Sequence, residues 1–111
     1  MRGSLRPTAG YVAGVPHYVM LSTLGPDGFA TLQEHPERLK DVNAEVEAMG
    51  VKVLDQYGLL GPYDFLNILE APDEITMARV VTALAARGTL KSVTLTAIPV
   101  DDLIAGLRTD T

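Results

Sequence analysis

The chain has 111 residues, of which 47% are hydrophobic and 21% charged, so we expect a single globular domain with its own core. Its formal net charge is −5. An acidic protein repels phosphate backbones and anionic lipid headgroups, so we expect neither nucleic acid nor a membrane as a partner. It contains no cysteine, which excludes disulfides and a thiol nucleophile and is compatible with the cytoplasmic location that we predict.

The first fourteen residues differ from the rest, since they contain Arg2, Arg6, three glycines and a proline. We predict that residues 1–14 form a flexible extension and that residues 15–111 form the folded domain. An alternative is an arm that becomes ordered on a neighbouring subunit. The apolar pair Val12-Ala13 is too short for the core of a signal peptide. No apolar run approaches the ~18 residues of a membrane span.

The segment His17–Leu24 is rich in β-branched and aliphatic residues and is bounded by a proline and a glycine, which predicts the first strand. The sequence GPDG at residues 25–28 then predicts a break in the chain. Residues 29–34 suit one or two turns of helix. These signals place a strand first and little regular structure directly after it.

A longer helix is predicted from the region of Pro36, because proline suits a first helical turn. One apolar stripe follows at helical spacing, made of Leu39, Val42, Val46 and Met49. Gly50 is placed to end this helix in a left-handed conformation. The remaining predicted elements are strands at residues 51–60, 63–70 and 93–98, a helix between Pro72 and Gly88, and a short helix at residues 101–107.

The order of the main elements is β-α-β-β-α-β, which predicts an α+β domain with a ferredoxin-like four-stranded antiparallel sheet. Consecutive apolar residues, as in the Val19-Met20-Leu21 run, indicate strands with apolar groups on both faces. Two helices cover only one face, and a bare apolar face of that size is rare on a monomer. A second copy is the simplest cover, and two such sheets would form a dimeric α+β barrel.

The turn between the second and third strands predicts a polar region at one end of the sheet. Gly61-Pro62 reverses the chain. Tyr57 and Tyr63 are interpreted either as packing residues or as phenols that hydrogen-bond a ligand. Asp64 either caps backbone N–H groups near the turn or acts as a general base or ligand anchor.

A two-residue turn at Gly61-Pro62 would place Gln56 opposite Asn67 on the same face of the sheet. The two amides then either pair with each other or line a cavity. Asp55 is interpreted as an exposed edge-strand carboxylate or as the second member of an acid/base pair. The set of ligand-binding candidates is Tyr57, Tyr63, Asp64, Asn67, His17 and Ser22.

The sequence contains no metal-binding spacing of histidines, no Gly-rich phosphate loop and no serine nucleophile motif, so we predict neither a metal nor another cofactor. His17 begins a strand and is a candidate for a ligand or proton-transfer role. His35 is interpreted as a surface or capping group. Arg87 is interpreted as a helix C-terminal cation, with pairing to a carboxylate or to an anionic ligand as alternatives.

The chain resembles the GYD family of small bacterial and archaeal proteins over residues 18–103. The matching stretches are YVMLSTL (18–24), HPERLKDVNAEVEAMGVKVLDQY (35–57), LGPYDFLNILEAPDE (60–74) and RGTLKSVTLTAIPVDDL (87–103). The letters of the family name correspond to Gly61, Tyr63 and Asp64. The resemblance implies the fold of the dimeric α+β barrels, in agreement with the element order, and no established reaction.

Three functions are compatible with this sequence. The leading hypothesis is a small organic molecule bound in a barrel that forms when two copies associate. A cofactor-independent oxygenase or isomerase is an alternative, by analogy with monooxygenases and muconolactone isomerases of the same fold. A structural or regulatory subunit, whose task is assembly, is the third.

Overall fold

The structure is a computed structural model that describes residues 14–88 and 90–108. Apart from Gly14, the predicted N-terminal extension lies outside the described residues. Four strands form one antiparallel sheet in the order β2-β3-β1-β4. They are β1 (His17–Leu24), β2 (Lys52–Gly58), β3 (Phe65–Glu70) and β4 (Leu90–Ala97).

The described helices are α1 (Pro26–Glu34), α2 (Arg38–Ala48), α3 (Glu74–Ala85) and α4 (Val100–Leu107). With α2 and α3 as the two crossover helices, the order confirms the predicted βαββαβ, ferredoxin-like α+β fold. Helix α1 is an addition between β1 and α2, and α4 follows the last strand. The fold therefore has two peripheral helices beside its central helix pair.

The start of α1 differs from the predicted break at residues 25–28, because the helix begins at Pro26. Gly25 precedes it in an extended conformation, with φ −82° and ψ 177°. Proline has no N–H to leave unpaired and its fixed φ suits the first helical turn. A dipeptide that is typical of a turn here begins a helix instead.

Helix α2 follows its predicted apolar stripe. Val46 is buried, and Val42 and Met49 pack against the core. Gly50 has φ +96°, which confirms the left-handed end of the helix.

Helix α3 begins at a side-chain cap. Asp73 accepts a hydrogen bond from the backbone N–H of Thr76 at 2.8 Å. The hydrogen bonds from Thr76 lower the pKa of the exposed Asp73 carboxyl from its ordinary value of 3.8. Three residues on one side of the helix are buried against the sheet: Met77, Val80 and Leu84.

The core lies between α2, α3 and one face of the sheet. Tyr18 and Met20 of β1 and Leu69 of β3 point toward the helices and are at most 4% exposed. Val80 of α3 is completely buried among them. We call this side of the sheet the helix face.

The opposite side of the sheet carries apolar side chains that the described helices leave partly open to solvent. We call it the open face. Its members follow from strand alternation and the observed register: Val19, Leu21, Tyr57, Leu66, Ile68, Val93 and Leu95. Leu95 is 50% exposed and Tyr57 54% exposed. The two-faced strands predicted from the sequence are therefore present.

The pairing of β2 with β3 agrees with the register predicted from the turn, since Gln56 lies opposite Asn67. The strands are shorter than predicted, because β2 ends at Gly58 and β3 begins at Phe65. The register shifts between Val53 and Asp55. This bulge lets Val53 pair with Leu69 on the helix face while Asp55, two residues later, lies on the open face.

Candidate functional site

The six residues predicted to share one ligand pocket are divided between the two faces of the sheet and the turn. Ser22 and Asn67 lie on the helix face, as the register of β1 with β3 shows. Tyr57 and His17 lie on the open-face side. Tyr63 and Asp64 lie in the turn before β3. A barrel built from two open faces would therefore not have Ser22 or Asn67 in its interior.

The turn between β2 and β3 is fastened to the end of β1 by Asp64. Its Oδ2 atom accepts a hydrogen bond from the Leu24 N–H at 2.9 Å. Its own N–H donates to the Ser22 carbonyl at 2.8 Å, and its carbonyl accepts from the Leu59 N–H at 2.8 Å. These contacts support the capping interpretation of Asp64.

Gly61 and Tyr63 belong to the same turn. Gly61 has φ +128°, a conformation that favours glycine, so it shapes the reversal directly. Tyr63 is half-buried. The turn therefore joins β2 to β3 and holds both against the end of β1.

We expect Asp64→Ala to destabilise the fold, because the Leu24 N–H loses its charged acceptor in a partly buried place. A loss of about 1–3 kcal/mol in the free energy of unfolding is expected, measured by urea denaturation. Asp64→Asn keeps the shape and one acceptor oxygen and should lose less. Hydrogen exchange at the Leu24 amide should accelerate in the alanine variant. Unchanged exchange there would contradict the fastening role of the carboxylate.

His17 is buried beside the beginning of the domain. Its side chain is 7% exposed, and Nδ1 lies 2.8 Å from the Val15 carbonyl oxygen, so this nitrogen donates a hydrogen bond to it. The imidazole is thus oriented by the backbone two residues earlier. This contact supports a positional role for His17 at the start of β1.

Ser22 and Asn67 line a cleft on the helix face, about 250 Å³ in volume, that lies between the sheet and α1 and α2. We call it the helix-side cleft. It is lined by Ser22, Leu24, Gly28, Thr31, Leu32, Arg38, Leu39, Val42, Gln56, Phe65, Asn67, Arg87 and Leu90. Asn43 and Gln56 exchange two hydrogen bonds of 2.9 Å beside it. Of the two interpretations of Gln56 and Asn67, the lining of a cavity is the one observed, and the cavity lies on the helix face.

Arg87 follows α3 and forms an ion pair with Glu45 of α2. Of the alternatives considered for Arg87, pairing with a carboxylate is the one observed. The pair links the ends of two helices at the side of the helix-side cleft. Arg38 and Arg87 both line the cleft. The sequence did not predict this pair of arginines, because they are far apart in the chain and neither belongs to a motif.

A shallower groove of about 350 Å³ lies between α3 and β4 and includes Tyr18 and Thr94. The Tyr18 hydroxyl is buried and has no hydrogen-bond partner among the described residues. Burial, followed by the nearby Glu74 and Asp73 carboxylates, raises the pKa of Tyr18 above 10.0.

Helix α4 adds a second exposed apolar surface. None of its residues is buried, and Leu103, Ile104 and Leu107 are exposed. Its first turn carries Asp101 and Asp102. Helices with one apolar side normally bury that side against another surface.

Neither a metal cluster nor a membrane-spanning helix is found in the described chain. Within residues 14–88 and 90–108, no group of three or more His, Asp or Glu side chains could hold a metal ion. In the part of the chain that the structure describes, no helix is both long and apolar enough to cross a membrane.

The fold and these surfaces define a small ferredoxin-like α+β protein with an open apolar sheet face. The GYD domain model matches residues 18–107, and the chain belongs to this family, which confirms the resemblance. A protein of Thermus thermophilus is 54% identical over 95 residues, which cover 85% of this chain and 100% of the relative. That relative is named "Glutamine synthetase and cystathionine beta-lyase binding protein".

Proposed function

We propose that this chain is an enzyme-binding protein that self-associates and binds the glutamine synthetase and cystathionine β-lyase of its own cell. The observation that carries the proposal is the 54% identity with a relative of that name along the whole length of the relative. The proposal is a form of the assembly-subunit hypothesis, and it places the protein in the cytoplasm with these enzymes.

Self-association is proposed to use the open face. On this face, Val93 and Leu95 are 43% and 50% exposed, and the neighbouring Val19 and Leu21 are half-buried. An apolar sheet face can pair with its own copy around a two-fold axis, so the proposed second copy would cover it without a separate partner surface. The proposed assembly is the face-to-face barrel expected from the sequence.

Enzyme binding is proposed to use α4. This helix remains outside the core, and it combines an apolar side with the acidic first turn of Asp101 and Asp102. An amphipathic helix that fits into a groove of a partner is a common mode of protein recognition. The proposal thus assigns self-association and enzyme binding to different elements of the fold, the sheet and α4.

The test is binding to each purified enzyme from the same organism, measured by size-exclusion chromatography and by titration calorimetry. We expect both enzymes to co-elute with the chain. Leu103→Asp in α4 should abolish this, because it puts a charge in the contact. Ile75→Asp is the matched control, since Ile75 is an apolar residue of α3 with 71% exposure. If neither enzyme binds at the highest attainable concentrations, the proposal is wrong.

A second candidate is a small-molecule-binding barrel, the leading hypothesis from the sequence. One observation favours it: Tyr57 and Asp55 lie on the same face of β2, where two associated copies would enclose both. Such an interior would combine apolar walls with a phenol and a carboxylate. A crystal structure of the associated protein, purified without added ligand, tests it. Density in the barrel would support it, and an interior filled by side chains would exclude it.

A further inference from the structure

The charge of the helix-side cleft differs from that of the whole chain. The chain has 14 acidic and 9 basic residues, yet the cleft is lined by Arg38 and Arg87, and none of the described residues lining it is Asp or Glu. Charges of one sign in a cleft with low-dielectric walls focus the potential and attract ligands of the opposite sign. An anion in the cleft would share these arginines with Glu45 and Asp41, which pair with them but do not line the cleft.

Both arginines retain donors for such an anion. Arg87 is paired with Glu45, but a guanidinium has five N–H donors, so the pair orients the group without using all of them. Arg38 Nε lies 3.7 Å from Asp41 Oδ2, and these side chains are 63% and 71% exposed. An exposed pair at that distance is weak. A carboxylate at the rim of the cleft can thus replace Asp41 as the partner of Arg38.

The sheet side of the cleft offers neutral polar groups. Ser22 is 4% exposed, and Asn67 has a buried Oδ1 without a hydrogen-bond partner among the described residues. A half-turn of the Asn67 amide exchanges its oxygen and nitrogen without changing its shape, so it can present either to the cleft. Asn43 and Gln56 exchange two hydrogen bonds through their side-chain amides. A ligand amide would bind the Asn67 amide in the same way.

The remaining walls are apolar, and they include Leu39, Val42 and Phe65. The volume of about 250 Å³ corresponds to roughly eight water molecules at about 30 Å³ each. We propose that the helix-side cleft binds a small carboxylate with a primary amide at its far end. Its carboxylate would contact Arg38 and Arg87, its short chain the apolar walls, and its amide Asn67. This proposal is independent of the enzyme-binding function.

Three five-carbon probes separate the parts of this proposal: glutarate monoamide, valerate without the amide, and pentanamide without the carboxylate. By titration calorimetry, we expect glutarate monoamide to bind at least about tenfold more tightly than either of the others, since each lacks one polar contact. In nuclear magnetic resonance spectra, the side-chain NH₂ signals of Asn67 should shift as the monoamide is added.

Arg38→Gln should weaken binding of glutarate monoamide about tenfold, because a charged contact is lost. Arg38 is largely exposed, so this variant should fold normally, which circular dichroism checks. Arg79→Gln removes an arginine of α3 that does not line the cleft and should bind like the unsubstituted protein. The proposal is overturned if the monoamide does not bind saturably, if pentanamide binds equally well, or if the two variants bind alike.

Discussion

A Leu95→Asp variant is expected to sediment as a single chain of 11.9 kDa, whereas the unsubstituted protein should form a larger particle. Leu95 lies on the open face, 50% exposed in the isolated chain, and opposite Val19 in β1. In a face-to-face pair, the new carboxylate would be buried without a partner, which costs several kcal/mol. The dissociation constant should rise by at least about a hundredfold. Analytical ultracentrifugation over a range of concentrations measures both proteins.

Ile75→Asp serves as the control for the added charge. Ile75 is an exposed apolar residue in the first turn of α3, where a negative charge is favourable. This variant should associate like the unsubstituted protein, and both variants should keep the secondary structure. If the unsubstituted protein sediments as one 11.9 kDa chain at every concentration, self-association through the open face is wrong.

The largest expected loss of stability comes from Leu69→Ala. Leu69 lies in β3, 3% exposed, between Tyr18 of β1 and Val53 of β2. Removing its side chain deletes apolar contacts with the core beneath α2 and α3 and leaves a cavity. We expect the free energy of unfolding to fall by about 2–5 kcal/mol. Urea denaturation followed by circular dichroism measures it, at one protein concentration because the proposed self-association would also stabilise the fold.

Leu60→Ala is the matched control, because it makes the same chemical change at a fully exposed position in the turn. Its effect should stay within about 0.5 kcal/mol. Equal losses in the two variants would mean that Leu69 does not belong to the core.

Most of the fold was predictable from local signals. The stripe that includes Val42 and Val46 has a helical period, and Gly50 ends that helix as expected. The turn at Gly61-Pro62 was enough to predict the pairing of Gln56 with Asn67. The start of α1 was not predictable in the same way, because GPDG satisfies the requirements of a turn and of a helix start equally.

The sequence did not predict that the six candidate residues are divided between the two faces of the sheet and the turn, and the reason is physical. Strands with apolar residues on both faces lose the alternation that distinguishes the inside from the outside, so Ser22 and Tyr57 could not be assigned to opposite faces. The helix-side cleft also depends on α1, which was predicted to be short. Arg38 and Arg87 meet at one cleft only because α2 and the end of α3 are brought together by the fold.

The bulge between Val53 and Asp55 limits the pairing of further strands with the exposed edge of β2. A regular outer strand offers its free backbone groups to any extended chain, which is how fibrils recruit new molecules. In β2, the bulge interrupts that row, and Lys52 and Asp55 add charge on either side. The addition of another strand to the edge of β2 is therefore disfavoured. In the proposed assembly, two copies joined through their open faces would leave no open face for a third, so this contact would not extend into a filament.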